Sequence, residues 1–170
     1  MTDGQLDETE AYPPAHHLLR DLALDVEHRD DGTSAAWLTV VPELLDDTGG
    51  VRAGVLATVV DMIGGGLSAF VAAPNWIATA DLTLHLVRAA TGGTLEATAR
   101  VLRAGRTTVV LEVDLRDARD LVGVATMTFS VLPRREDNPV ITFSAATPRT
   151  TLVLPGSGFR SPILDELGLD

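Results

Sequence analysis

The chain has no cysteine and no lysine. Without cysteine there is no disulfide framework, no thiolate nucleophile and no thiolate metal site. Without lysine, all 13 basic residues are arginine, set against 24 acidic ones for a formal net charge of −11. An acidic chain repels phosphate backbones, which argues against nucleic-acid binding. No basic segment followed by an apolar one opens the sequence, so no signal peptide is read and a soluble, cytoplasmic protein is expected. His16 and His17 are neighbours and do not share a helix face, a poor arrangement for a metal pair. Neither metal nor cofactor is expected. What remains is a chain of 170 residues, 45% hydrophobic, enough for one domain with a real core.

The stretch from Val51 to Pro74 organises that domain. On a helix of 3.6 residues per turn, Leu56, Val59, Val60, Ile63, Leu67 and Phe70 fall on one stripe, the spacing of a helix packed on a core. Asp61 points away from the stripe, among Ala57, Thr58, Gly64, Gly65 and Ser68. A face so small lets another backbone or a ligand approach closely. No cation lies near Asp61 in sequence, and burial of an unpaired carboxylate raises its pKa, so Asp61 is a candidate for chemistry. Two other readings stay open: a solvated residue, or a structural acid paired with an arginine. The segment is also long enough to cross a membrane. A central Asp would cost about 2.5–3.5 kcal/mol there, and no basic cluster flanks it, so no membrane span is expected.

Around this helix the period is two. Leu22 to His28 and Ser34 to Val41 alternate as a hairpin about the turn Asp30-Asp31-Gly32. After Pro74, four strands are read at Trp76–Val87, Thr94–Arg103, Thr107–Leu115 and Leu121–Leu132, joined by short loops as a meander. In the first of these, Ala78, Ala80, Leu82, Leu84 and Leu86 are placed inward, with Thr79 and His85 outward. Val122 and Val124 are placed outward. The chain divides into an acidic, mobile lead-in over 1–14, a domain over 15–133 and a proline-rich extension over 134–170 that is dispensable for folding. The fold class is α+β, one long helix wrapped by an antiparallel sheet of about six strands.

That pattern resembles the hotdog fold, and residues 18–132 resemble the PaaI-type acyl-CoA thioesterases. Members read Asn-x-x-Gly-x-x-His-Gly-Gly, with an acid nine residues after the His. Here Gly49, Gly54 and Asp61 match, while Asp46 stands for the Asn, Arg52 for the His and Ala53 for the following Gly. In TADLTLHLVRAATGG, Thr79 stands where some members carry a catalytic Ser or Thr, and Arg88 matches a strand-end Arg; Ala90 replaces the family's Pro. The resemblance implies hydrolysis of an acyl-CoA or related thioester, with Asp61 supplied by a neighbouring subunit of a homodimer or homotetramer.

On this reading the N–H groups of Ala53 and Gly54, at the positive end of the helix, polarise the thioester carbonyl. Asp61 activates water or attacks directly, and Thr79 positions the water. Arg52 binds a phosphate or pairs with Asp46 or Asp61. Arg100, Arg103 and Arg106 cluster on one hairpin, suited to CoA phosphates or to discouraging edge pairing. The substrate-binding set is therefore Arg52, Asp46, Arg88, Arg103 and Arg106. Loss of the family's His and Asn keeps an alternative open, a non-catalytic acyl-CoA or lipid-binding hotdog protein.

Overall fold

The structure is a computed structural model describing residues 22, 24–29, 31–118 and 120–135. The lead-in over 1–14 and all of the extension beyond Arg135 lie outside these residues, as does the question of whether the extension is dispensable. Strands β1 (Leu24–His28) and β2 (Thr33–Thr39) form the hairpin. A short 3-10 turn, Pro42–Leu44, leads to helix α1 (Ala53–Ala72). Strands β3 (Trp76–Leu86), β4 (Thr94–Ala104), β5 (Thr108–Asp117) and β6 (Asp120–Leu132) follow. All six form one antiparallel sheet, with α1 packed against one face. This is the hotdog architecture expected from the sequence.

Helix α1 is held by its stripe. Leu56, Val59, Val60, Ile63 and Leu67 are almost wholly buried against the inward residues of β4, β5 and β6. Each such burial contributes roughly 1.5–3 kcal/mol, against about 1 kcal/mol for each of Gly64, Gly65 and Gly66 relative to alanine. The helix can therefore carry three successive glycines. Phe70 departs from the expected stripe. It is 48% exposed and stacks on the His28 ring at 6.0 Å, because the last turn of α1 reaches the flank of the sheet at β1. Gly64 and Ser68 also differ from expectation, being buried on the flank rather than sharing the exposure of Asp61. A Cβ on Gly64 would lie 2.6 Å from the Met127 sulfur and 3.2 Å from Leu111 Cδ1, so any side chain there forces the buried Met127 to shift.

The sheet order is β1-β2-β4-β5-β6-β3. The four strands expected as one meander are therefore a three-strand meander, β4-β5-β6, with β3 carried across to the far edge beside β6. This edge position leaves the outer side of β3 without a strand partner among the described residues.

Three bulges re-aim side chains. In β3, Thr79 pairs with Phe129 and Asp81 with Thr128, so Ala80 is the extra residue. The alternation flips across it. Ile77 and Thr79 take the core-facing positions opposite Val131 and Phe129, where Ala78 and Ala80 were expected, while Leu82 and Leu84 stay inward opposite Met127 and Ala125. A second bulge leaves Val122 unpaired on β6 and turns it into the core, correcting the expected outward placement. The third leaves Leu102 unpaired on β4, 47% exposed beside Arg103.

The glycine run provides a test of this packing. Gly64→Ala should lower stability by about 1 kcal/mol or more, because overpacking against Met127 and Leu111 outweighs the helix propensity gained. Gly65→Ala should instead raise it by up to about 1 kcal/mol, since its Cβ would meet Phe129 at an ordinary 3.8 Å. Denaturant melts of the two variants should move in opposite directions.

Candidate active site

The loop before α1 is built around Asp46. Its Oδ1 accepts hydrogen bonds from the Thr48 hydroxyl at 2.6 Å, the Thr48 N–H at 2.8 Å and the Gly50 N–H at 3.2 Å. Backbone bonds between Asp46 and both Gly49 and Gly50 close the turn, with Gly49 at φ 81° where a side chain would be strained. The Thr48 hydroxyl, then the Thr48 and Gly50 N–H groups, hold the Asp46 carboxyl below the usual carboxylate range. Asp46, expected to bind substrate, thus has one oxygen committed to shaping the loop.

That loop sets the start of α1. The Val51 N–H bonds Ala90 O at 2.8 Å and the Arg52 N–H bonds Leu44 O at 2.9 Å, fixing the chain on both sides. Arg52 is the N-cap residue and makes no side-chain cap. The N–H groups of Ala53 and Gly54 have no backbone acceptor among the described residues. Both residues are exposed, and open space stands where a Gly54 side chain would be. Unpaired donors at the positive end of a 20-residue helix suit a carbonyl oxygen that gains negative charge.

Asp61 lies further along the same helix. It is exposed, and its Oδ1 accepts the Thr79 hydroxyl at 3.0 Å. The bulge at Ala80 makes this possible, since regular alternation would have sent Thr79 to the other face of the sheet. Among the described residues Arg52 makes no ion pair with Asp61 or Asp46. The reading of Asp61 as a buried acid paired to an arginine is therefore set aside. Seven residues separate Gly54 from Asp61, two helical turns or about 10 Å on one face. One thioester carbon cannot lie within reach of both groups of a single chain.

The arginines divide between the two ends of the sheet. Arg88 follows β3, donates its backbone N–H to Val122 O, and places its guanidinium 3.6 Å from Asp120. It shares its end with the start of α1, through the loop carrying Ala90. Arg103 and Arg106 belong to the β4–β5 hairpin at the other end, about 30 Å along β4. Both are exposed. Arg100, expected to cluster with them, is instead paired with Glu112, with its Nη2 2.6 Å and its Nε 3.2 Å from the same oxygen.

Sequence reasoning missed two features. Asp46-x-Thr48 is the signal of a side-chain-closed turn and was legible as such. His28 was read only as a strand residue. It bonds Ser34 Oγ at 2.6 Å on the β1 flank of the helix, and burial lowers its pKa. The groups of three or more His, Cys, Asp or Glu that a metal needs do not occur among the described residues.

Residues 49–124 match the family model described as the thioesterase superfamily. No curated protein matches the chain. Among solved structures, a conserved protein from Pseudomonas aeruginosa is similar over 65% of this chain and 90% of its own, at 27% identity and TM-score 0.60. A phenylacetic acid degradation-related protein from Ralstonia eutropha is similar over 65% and 86%, at 26% identity and TM-score 0.60. A thioesterase from Haemophilus influenzae shares the fold, at 18% identity and TM-score 0.67 over 73% of this chain and 89% of its own. The resemblance to hotdog thioesterases read from the sequence holds.

The Asp46 loop carries a definite pH signature. A carboxyl depressed in the folded state stabilises it above the ordinary carboxylate pKa, and that contribution is lost as pH falls through the depressed value. Asp46→Asn keeps an Oδ1 acceptor for all three hydrogen bonds but cannot titrate. Between about pH 5 and pH 2 the stability of this variant should fall less steeply than that of the wild type. Urea midpoints measured across that window check it; parallel curves would contradict the assignment.

Proposed function

We propose that the chain is a PaaI-type thioesterase that hydrolyses an acyl-CoA or related acyl thioester, in a site assembled between two copies. One observation carries the reading. Unpaired N–H groups at Ala53–Gly54 and a carboxylate at Asp61, fixed by Thr79, share one helix face two turns apart. A two-fold axis beside Ala57 and Thr58, with helices antiparallel, sets Gly54 of each copy against Asp61 of the other. Small residues at that point allow the close approach. The unpartnered edge of β3 lies on the same flank as Thr79 and is the surface that a second copy covers. A homodimer is therefore the minimum assembly, and a tetramer of such dimers is compatible with it.

In this site the carbonyl oxygen accepts hydrogen bonds from the Ala53 and Gly54 N–H groups of one copy. Asp61 of the other copy takes a proton from water as the water oxygen bonds to the carbonyl carbon. The N–H groups hold the resulting oxyanion. Its collapse breaks the C–S bond, and the thiolate leaves with the proton returned from Asp61. Direct attack by Asp61 is the covalent variant of the same geometry. Thr79 keeps one carboxylate oxygen occupied so that the other faces the substrate. Arg52, where family members carry His, adds positive charge at the helix start.

Thiol release from a panel of acyl-CoAs tests the proposal. Asp61→Asn retains the acceptor for Thr79 and should lower turnover by about 10² or more while leaving binding nearly unchanged. Ala53→Pro removes one donor at the first helical position, where proline suits the helix, and Arg52 at φ −55°, ψ 135° already has the backbone that precedes proline. It should fold normally and lose about 10²–10³ in turnover. Wild-type protein that binds an acyl-CoA tightly yet releases no thiol would establish the non-catalytic binding protein instead.

A further inference from the structure

We propose that Asp117 is a positioning residue for the N–H donors of the active site, acting through the connection between β3 and β4. The inference rests on the reading of Ala53 and Gly54 as donors to the carbonyl oxygen and adds what aims them. Asp117 is the last residue of β5. It makes no ion pair among the described residues, and its Oδ2 accepts the Thr91 N–H at 3.0 Å.

That bond ties the middle of the connection over 87–93 to the β5–β6 hairpin. Where the connection leaves β3, the Val87 and Arg88 N–H groups both bond Val122 O, at 2.8 and 3.2 Å. The bulge on β6 frees this carbonyl, since Val122 has no partner in either neighbouring strand. Arg88 adds an exposed ion pair with Asp120, a contact worth little. After Thr91 come Gly92 and Gly93, both at positive φ, and Gly93 O accepts the Val40 N–H at 2.9 Å. Asp117 is therefore the side chain that fixes the stretch between these two backbone anchors.

The same stretch supports the start of α1. Ala90 is buried, and its carbonyl accepts the Val51 N–H at 2.8 Å. Ala89 lies against Gly50, where an added Cβ would meet the Ala89 Cβ at 3.3 Å. Thr91 directly follows Ala90, and Val51 directly precedes Arg52, the N-cap. The path from the Asp117 carboxylate to the donors is thus two hydrogen bonds joined by short backbone: Thr91 to Ala90, then Val51 to Ala53. Asp46 shapes the loop from within, and Asp117 sets where that loop stands on the sheet. Donors to a developing oxyanion lose much of their effect when displaced by about 1 Å.

The test compares Asp117→Ala, which deletes the acceptor, with Asp117→Asn, which keeps one. The readouts are thiol release from acyl-CoA and hydrogen exchange of the Val51 amide, the bond at the far end of the path. In Asp117→Ala, kcat should fall about tenfold with KM nearly unchanged, as for an interaction made with the oxyanion alone. Val51 should exchange about tenfold or more faster, while the amides of β5, central in the sheet order, keep their protection. Asp117→Asn should restore both. Unchanged Val51 protection in Asp117→Ala overturns the proposal. So does exchange that rises equally in β5, which marks a purely structural role, or full turnover beside a loosened Val51. Should Asp117→Ala fail to fold, Asp117→Glu, which carries its acceptor one methylene further out, is read by the same criteria. If wild-type protein releases no thiol, the thioesterase reading fails, and the exchange of Val51 alone decides whether Asp117 holds the helix start.

Discussion

A single helix covering a single sheet face sets the terms for everything else in this protein. Leu56, Val59, Val60, Ile63 and Leu67 form the stripe that α1 buries, flanked by Gly64, Ser68 and Ala72, and the side that carries Gly54 and Asp61 stays exposed. A solvated face would carry long charged residues. This one carries glycine, alanine, threonine and one aspartate. Helix geometry then spaces Gly54 and Asp61 by two turns on one side, too far apart for one reacting carbon, and this spacing is what the proposed two-copy site rests on.

The edge strand completes the arrangement. β3 crosses to the far side of the sheet and lies along the Asp61 flank of α1. Its bulge at Ala80 turns Thr79 toward the helix, where its hydroxyl holds Asp61 at 3.0 Å. A regular strand would have left Asp61 without that donor and placed Thr79 on the outer face. The loop at the helix start is rigid for a separate reason, the three hydrogen bonds collected by Asp46 Oδ1. Both halves of the site are thus positioned by polar contacts outside the core, on backbone that the core has already fixed.

Much of this was legible in the residues, because period and composition encode local structure. The 3.6-residue stripe located α1, the period of two located the strands, and an aspartate without a sequence-local cation marked Asp61. Three things were not legible. The crossing of β3 to the far edge is a long-range pairing, and Trp76–Leu86 alternates as well beside one neighbour as another. The bulges at Ala80 and Val122 leave no mark in a run that alternates regularly, so Thr79 and Val122 were assigned to the wrong faces. Phe70 has the spacing of a core residue but sits beyond the cover of the sheet, which only the helix-to-sheet geometry decides. The resemblance to hotdog thioesterases supplied Asp61 and the helix start together, while the role of Asp46 in its loop had to come from coordinates.

The central claim is that each active site takes its N–H donors from one copy and its carboxylate from the other. Mixed dimers of an Asp61→Asn chain with an Ala53→Pro chain test it most directly. Each parent is impaired in one half of every site, the Ala53→Pro chain keeping only the Gly54 donor. In the mixed dimer one site is impaired in both halves and the other is intact, so thiol release should recover to roughly half of the wild-type value per dimer. Activity no higher than that of the parents would contradict the account, because donors and carboxylate would then have to act within one chain.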